Sequence, residues 1–293
     1  MVGDSILDTI LADCSAAAAV PGPPSRTATR YDEAMNQPDR ADLPRQDGQA
    51  RHVGKRVAFF GGSFDPPHLG HMAVARAARN AFRLDTVLFA PVGTQPLKPE
   101  GSTASFEDRL VMTRLAVEGE PGFAVSIADA PKPSGSRGSP RRPPNYTIDT
   151  LEGLRAELAP DCALYCLMGA DAFLGLRLWH RAAEIPFAAM LIVASRPGQP
   201  LEGLKAALSQ GLTLEAAPGG NKSESGVEVR EFTLVNQAGE RAPFYVLPGL
   251  DVEISATEIR GQIRDSSGSR VAGRDLLPAA VRKYIAQHDL YRA

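Results

Sequence analysis

Apolar residues show little periodicity from about Val20 to Gly54, then fall abruptly into order near residue 55. From Val20 to Gly54 the sequence is rich in Pro, Arg, Asp and Gln. Such a composition cannot bury enough apolar surface to offset the entropy of ordering, so residues 1–54 are expected to form a flexible extension with at most a short helix over 5–19. From Val57 the run VAFF has the continuous apolar character of a parallel strand covered on both faces, and it ends in Gly61 and Gly62. Helical spacing follows over 69–82, a strand run over 86–90, a helix over 106–117 and a strand over 123–127. After a basic, proline-rich stretch at 132–144, the alternation resumes with a helix over 147–158 and strands over 163–168 and 189–194. This rhythm predicts βαβ units, and therefore an α/β, Rossmann-like doubly wound parallel sheet of about five parallel strands. Residues 197–250 are less regular, with strand-like pieces at 229–235 and 244–246, and read as an insertion or an edge hairpin. Helices near 256–264 and 278–287 would close residues 55–293 as a small C-terminal helical part.

Composition narrows what such a domain can do. A chain of 293 residues, 43% hydrophobic, can bury a substantial core. Thirty-two basic against 34 acidic side chains leave a net charge of -2, which gives no global attraction to nucleic acid or to a membrane surface. Phosphate recognition, if present, has to be local. Cys14, Cys162 and Cys166 are too few for a disulfide framework and read as buried thiols of a reducing compartment. No apolar stretch approaches the roughly 20 residues that cross a bilayer, and Asp4, Asp8 and Asp13 stand where a signal peptide is basic. The expected location is cytoplasmic, and a homo-oligomer stays open.

The strongest chemical signal is GGSFDPPHLGH, Gly61 to His71, between the first strand and the first long helix. A loop there lies at the carboxyl end of the sheet, where open α/β folds bind ligands. Gly61 and Gly62 lack Cβ and let a phosphate approach backbone N–H groups, while His68 and His71 stand three apart at the helix opening, able to meet charge that builds on a phosphate. A lone Gly-Gly turn is usually only a turn, and a lone histidine pair usually lies on the surface; the combination after a buried strand is what raises the signal. A metal reading is weaker, because no Cys or third His completes a ligand set, and Asp65 reads as a brace for the turn. The second signal is ISATEIR, Ile254 to Arg260, where Ser255 and Glu258 have the spacing of a capping box. Thr257 and Arg260 beside free helix N–H groups would make a second anion site; alone, the motif is a well-capped helix. Asp171, after Gly169 at a strand end, reads equally as a ribose acceptor or as a helix cap.

GGSFDPPHLGH with ISATEIR resembles the paired signature of the nucleotidyltransferase superfamily. TIDTL, GADAF and LLPAAVRKYI resemble nicotinate-nucleotide adenylyltransferases in particular, over roughly Val57 to Arg292. The resemblance implies a nucleotidyltransferase domain over 55–293, with ATP and nicotinate mononucleotide as substrates and Mg²⁺ held mainly by the ATP phosphates rather than by a protein metal site. It implies that Gly61, Gly62, Ser63, Phe64, His68 and His71 line the triphosphate, that Ser255, Thr257 and Arg260 hold its far end, and that Gly169 and Asp171 meet the nucleoside. His68, His71 and Arg260 would be the catalytic residues. Lys98, Tyr146, Thr147 and Trp179 would bind the acceptor, with the aromatic face of Trp179 on the pyridine ring and the Thr147 helix start on the carboxylate. On general burial tendencies Trp179 can equally be a core residue. Two positions depart from the family pattern: Leu97 replaces a usual histidine before Lys98, and His180 stands where a second aromatic is common.

An acceptor phosphate is already an anionic nucleophile, so the expected reaction is in-line attack on the α-phosphorus of ATP without a covalent enzyme intermediate. HLGH also resembles the ATP motif of class I aminoacyl-tRNA synthetases, but a short, near-neutral chain has little room for a tRNA surface.

Overall fold

The computed structural model describes residues 54–98, 100–133, 143–195, 201–217, 228–248, 254–265 and 276–292. The expected extension and most of the basic stretch at 132–144 lie outside them. Eight strands form one sheet in the order β3-β2-β1-β4-β5-β8-β7-β6. They are β1 Arg56–Gly62, β2 Thr86–Pro91, β3 Phe123–Val125, β4 Ala163–Gly169, β5 Met190–Ala194, β6 Thr213–Ala216, β7 Arg230–Val235 and β8 Arg241–Leu247. From β3 to β8 every neighbouring pair is parallel, while β7 runs against both β8 and β6.

Strand residues alternate between two cores because successive side chains of a strand point to opposite faces. Val57 and Phe59 enter the first core, covered by α3 Thr147–Glu157, α4 Ala170–Leu174, α5 Ile185–Ala188 and α6 Leu201–Ala206 through Ile148, Leu151, Phe173, Ile185 and Leu204. Ala58 and Phe60 enter the second, covered by α1 Leu69–Phe82, α2 Phe106–Val117, α7 Ala256–Asp265 and α8 Ala279–Gln287 through Met72, Met112, Ile259 and Val281. Each large apolar side chain buried this way contributes about 1.5–3 kcal/mol, so central strands apolar on both faces anchor the sheet. Among the described residues no helix is long and apolar enough to cross a membrane.

The expectation of about five parallel strands is corrected to eight strands of which β7 is antiparallel to its neighbours, and the stretch over 197–250, read as an insertion or edge hairpin, contributes β6, β7 and β8 to the same sheet. Arg241–Leu247 is an interior strand whose Phe244 is fully buried, and it joins β5 in parallel register from Phe244 onward. Pro243, which argues against a central strand in the sequence, stands just before that parallel pairing begins and faces only Thr233 of β7. The predicted strand over 123–127 stops at Val125, because the Ser126 hydroxyl accepts the Ala128 N–H at 3.1 Å and turns the chain. The C-terminal helices α7 and α8 pack in the layer over the second core.

β1, β2 and β3 progress to one side of the sheet, and β4, β5 and β8 to the other. The order therefore reverses between β1 and β4, and a crevice opens beyond their carboxyl ends. Gly62 and Gly169 terminate the two strands there.

Candidate active site

β1 ends in Gly61 and Gly62 because two rings fold under them. A Cβ on Gly61 would lie 2.7 Å from the Phe59 ring, and one on Gly62 would lie 3.2 Å from the Phe64 ring. Phe64 itself takes a left-handed backbone (φ 46), costly for a bulky residue, and its buried ring packs edge-on to Phe60 and His71. The residue as a whole is only 1% exposed, so Phe64, expected to line the triphosphate, lies beneath the surface of the turn.

The next turn delivers two histidines to the start of α1. Their rings stack with centroids 3.7 Å apart. The His68 N–H donates to His71 Nδ1 at 3.2 Å, which fixes the neutral His71 tautomer with its proton on Nε2, facing away from that bond. Burial pushes His68 down to about 4, and burial plus the neighbouring His68 pushes His71 well below the usual imidazole range. Without ligand the pair is therefore neutral and offers hydrogen-bond donors rather than charge. The buried Nδ1 of His68 has no hydrogen-bond partner among the described residues, an orphan that a bound group or water would satisfy. At the opening of α1 the Leu69 N–H donates to the Leu276 carbonyl at 2.9 Å.

The second motif meets the first directly. Arg260, on the first turns of α7, donates from Nη1 to the Asp65 carbonyl at 2.7 Å and from Nη2 to Thr257 Oγ1 at 3.1 Å. Residues 195 positions apart are thereby joined, with three guanidinium N–H groups still to place. Glu258, expected to reach back to Ser255, accepts instead from Gln262 one turn on, while Ser255 is exposed. Lys98, expected at the acceptor, donates to Ser63 Oγ at 3.2 Å, and Gln95 donates to the same oxygen at 2.6 Å. With both acceptor positions used, the Ser63 hydroxyl keeps its own hydrogen to donate.

On the far side of the crevice, the loops after β2 and β3 are sewn together. Thr94 N–H donates to Asn145 Oδ1 and Asn145 N–H to the Thr94 carbonyl, both at 2.9 Å. Asn145 Nδ2 reaches the Ala130 carbonyl at 2.8 Å. Gly93 permits this closeness, because a Cβ there would lie 2.4 Å from the Pro131 backbone nitrogen. Beneath them Thr150 donates to the buried Asp129 carboxylate at 2.9 Å, and desolvation pushes Asp129 up to about 6 against those hydrogen bonds and Lys132. Tyr146 precedes Thr147 at the start of α3, with its ring 4.2 Å from that of His180 and the Lys132 ammonium 5.9 Å from its centroid. Trp179 is half-buried against the first core beside His180. Gly169 has open space where a Cβ would be, and Asp171 is exposed on the first turn of α4.

The structure thus gathers Gly61, Gly62, Ser63, His68, His71, Lys98, Thr257 and Arg260 around one turn, while Tyr146 and Thr147 stand at the start of α3 and Trp179 packs separately against the first core. Arg109, Gln95, Asn145 and Asp129 were not foreseen. Arg109 had a readable signal: it shares the helical face of Met112, Thr113 and Ala116, and a charged residue in the core phase needs a buried task. Its guanidinium serves the carbonyls of Ser63, Val92 and Ala104 at 2.7, 2.9 and 3.3 Å.

Residues 59–262 match the cytidylyltransferase-like family. The chain is similar to a probable nicotinate-nucleotide adenylyltransferase of Gloeobacter violaceus, 34% identical over 82% of this chain and 97% of that one. It is likewise similar to one of Pseudomonas paraeruginosa, 36% identical over 82% and 99%. In three dimensions it is similar to the Plasmodium falciparum nicotinic acid mononucleotide adenylyltransferase complexed with APC, at TM-score 0.55 and 14% identity over 81% of this chain and 97% of that one, a likeness of fold.

Proposed function

Because the chain belongs to the nicotinate-nucleotide adenylyltransferases of the cytidylyltransferase-like family, we propose that it moves AMP from ATP onto the phosphate of nicotinate mononucleotide. The products are nicotinate adenine dinucleotide and pyrophosphate, a step in making NAD. The observation that carries this reading is the Arg260 bond to the Asp65 carbonyl, which sets both phosphate-binding motifs on one side of the sheet's switch point. The sheet order supports reading the fold as a Rossmann-like, doubly wound one.

Catalysis here is positioning plus charge neutralisation. The Ser63 hydroxyl, the His71 Nε2–H and the unspent Arg260 N–H groups donate to the triphosphate, and Thr257 orients Arg260. Phosphate charge beside the stacked imidazoles favours their protonated forms, so the pair gains positive charge as ATP binds and as pyrophosphate builds charge. The acceptor lies across the crevice, its ring against Tyr146 or Trp179 and its carboxylate at the N–H groups of the Thr147 helix start. Its phosphate oxygen attacks the α-phosphorus in line, and the bond to the bridging oxygen of pyrophosphate breaks. A divalent ion, Mg²⁺ in this reading and carried by the triphosphate and water, supplies further charge neutralisation.

Pyrophosphate release from ATP with nicotinate mononucleotide, and with the amide mononucleotide as competitor, tests the proposal. Release with preference for the acid is expected. Preference for the amide overturns the acceptor assignment, and no release with either overturns the transfer.

A further inference from the structure

The turn over Ser63 to His71 offers its outer groups to the triphosphate in the reading above, and the inference here rests on that reading. Its inner side is held by something else. The Asp65 carboxylate is 4% exposed and collects three donors: Thr103 N–H at 2.7 Å, Ala104 N–H at 3.1 Å and the Tyr291 hydroxyl at 2.7 Å. The third comes from the C-terminal segment, 226 positions away. That segment also meets the turn at its other end, where the Leu276 carbonyl accepts from Leu69 N–H.

A phenylalanine would fill the Tyr291 site equally well, because the ring packs into the second core and is 6% exposed. The hydroxyl is needed only for Asp65. A hydrogen bond from a neutral donor to a carboxylate is about twice as strong as one between neutral groups. The backbone at Tyr291 is also left-handed (φ 68), an unfavourable conformation for an aromatic residue that something must hold in place. Asp65 in turn carries on its main chain the carbonyl that orients Arg260. The path from the C-terminal tyrosine to the phosphate-binding guanidinium is therefore one residue long.

We propose that Tyr291 is a positioning residue for nucleotide transfer, its hydroxyl fixing Asp65 so that the turn and Arg260 present their donors to the triphosphate together. The burial that surrounds the phenol, together with the adjacent carboxylate, pushes its ionisation upward, so it stays a donor at every working pH.

The experiment is Tyr291→Phe in the full chain, read by steady-state kinetics against each substrate and by the rise in melting temperature that a non-hydrolysable ATP analogue or nicotinate mononucleotide produces. The expected result is a loss of about tenfold in kcat/KM for ATP, with KM for the acceptor unchanged within about twofold, since one charge-assisted hydrogen bond is lost on the ATP side alone. The ATP-analogue melting shift shrinks and the acceptor shift holds. Equal loss toward both substrates, or none toward either, overturns the proposal, because a merely structural tyrosine would weaken both sides together. Melting shifts also read out a weakened fold and need no turnover. If the parent chain releases no pyrophosphate, the transfer reading has failed, and Tyr291 is still judged by whether Tyr291→Phe weakens binding of the analogue alone.

Discussion

The two walls of the crevice are built on different principles. The turn side is buried and cross-linked from a distance: Asp65, His68 and Arg109 are each at most 6% exposed, and Asp65 and Arg109 draw partners from residues 92–104 and from Tyr291. The side proposed for the acceptor keeps its buried bonds one layer down, in Asn145, Asp129 and Thr150, while Tyr146, Trp179 and His180 at the surface are half-buried or exposed. Donors that must meet charge developing on phosphorus gain from being fixed in advance in a low dielectric. A flat ring needs only a face to lie on, and a half-exposed aromatic supplies one.

The contrast is most severely tested at His71. Its Nε2–H is fixed by the bond that Nδ1 accepts, so His71→Ala removes one preorganised donor. By the usual effect of losing an oxyanion donor, kcat should fall about 10²–10³-fold with KM for ATP changing less. An unaltered kcat in single-turnover measurements would remove His71 from the chemistry.

Acid titration separates the walls next, because they respond with opposite sign. His68 is pushed from 6.5 down to about 4, so the unfolded chain binds the extra proton, and the stability it contributes above about 6.5 is lost as pH falls through about 4. Asp129 is pushed from 3.8 up to about 6, so its contribution is fully present below about 3.8 and is lost as pH rises through about 6. Each effect is on the order of 3 kcal/mol, and within that window they oppose one another. Denaturant unfolding from pH 4 to 7 should show His68→Gln flattening the acid loss and Asp129→Asn steepening it. Parallel curves for the two variants would mean the groups do not sit in the environments described.

A smaller effect is expected at Gly93, where an added methyl meets the Pro131 backbone. Gly93→Ala should cost about 1–3 kcal/mol as overpacking and raise KM for the acceptor more than for ATP, since it pries apart the two loops beneath Tyr146. A larger rise for ATP would show that these loops serve the other wall.

How much of this was legible depends on whether the physics was local. Continuous apolar runs gave β1, β2, β4 and β5, and the turn and ISATEIR declared themselves because glycine, histidine and helix-start chemistry act within a few residues. β8 was legible only from Phe244 onward because Pro243 interrupts its pattern, and pairing with β5 on one side and β7 on the other overrides that local penalty. Lys98 donates to Ser63, a contact that motif position alone does not announce, because nothing in the sequence says which way a long side chain will lean. Tyr291 carried no signal, because a hydrogen bond across 226 positions leaves no periodicity.

The mildest test falls on the tilted ring pair at the wall proposed for the acceptor. Tyr146 and His180 lie 4.2 Å apart at 32°, and His180 is exposed, so their contact adds only the attraction of two tilted rings in a wet setting. His180→Ala should leave kcat and KM for ATP alone and raise KM for nicotinate mononucleotide about threefold to tenfold, the size of an aromatic pair worth roughly 0.5–1.5 kcal/mol. His180→Trp offers a larger face at the same place and should lower that KM below the parent value. If instead both variants change KM for ATP, the imidazole is steering phosphate rather than supporting the ring, and the division of labour between a rigid charged wall and an adaptable aromatic one does not hold.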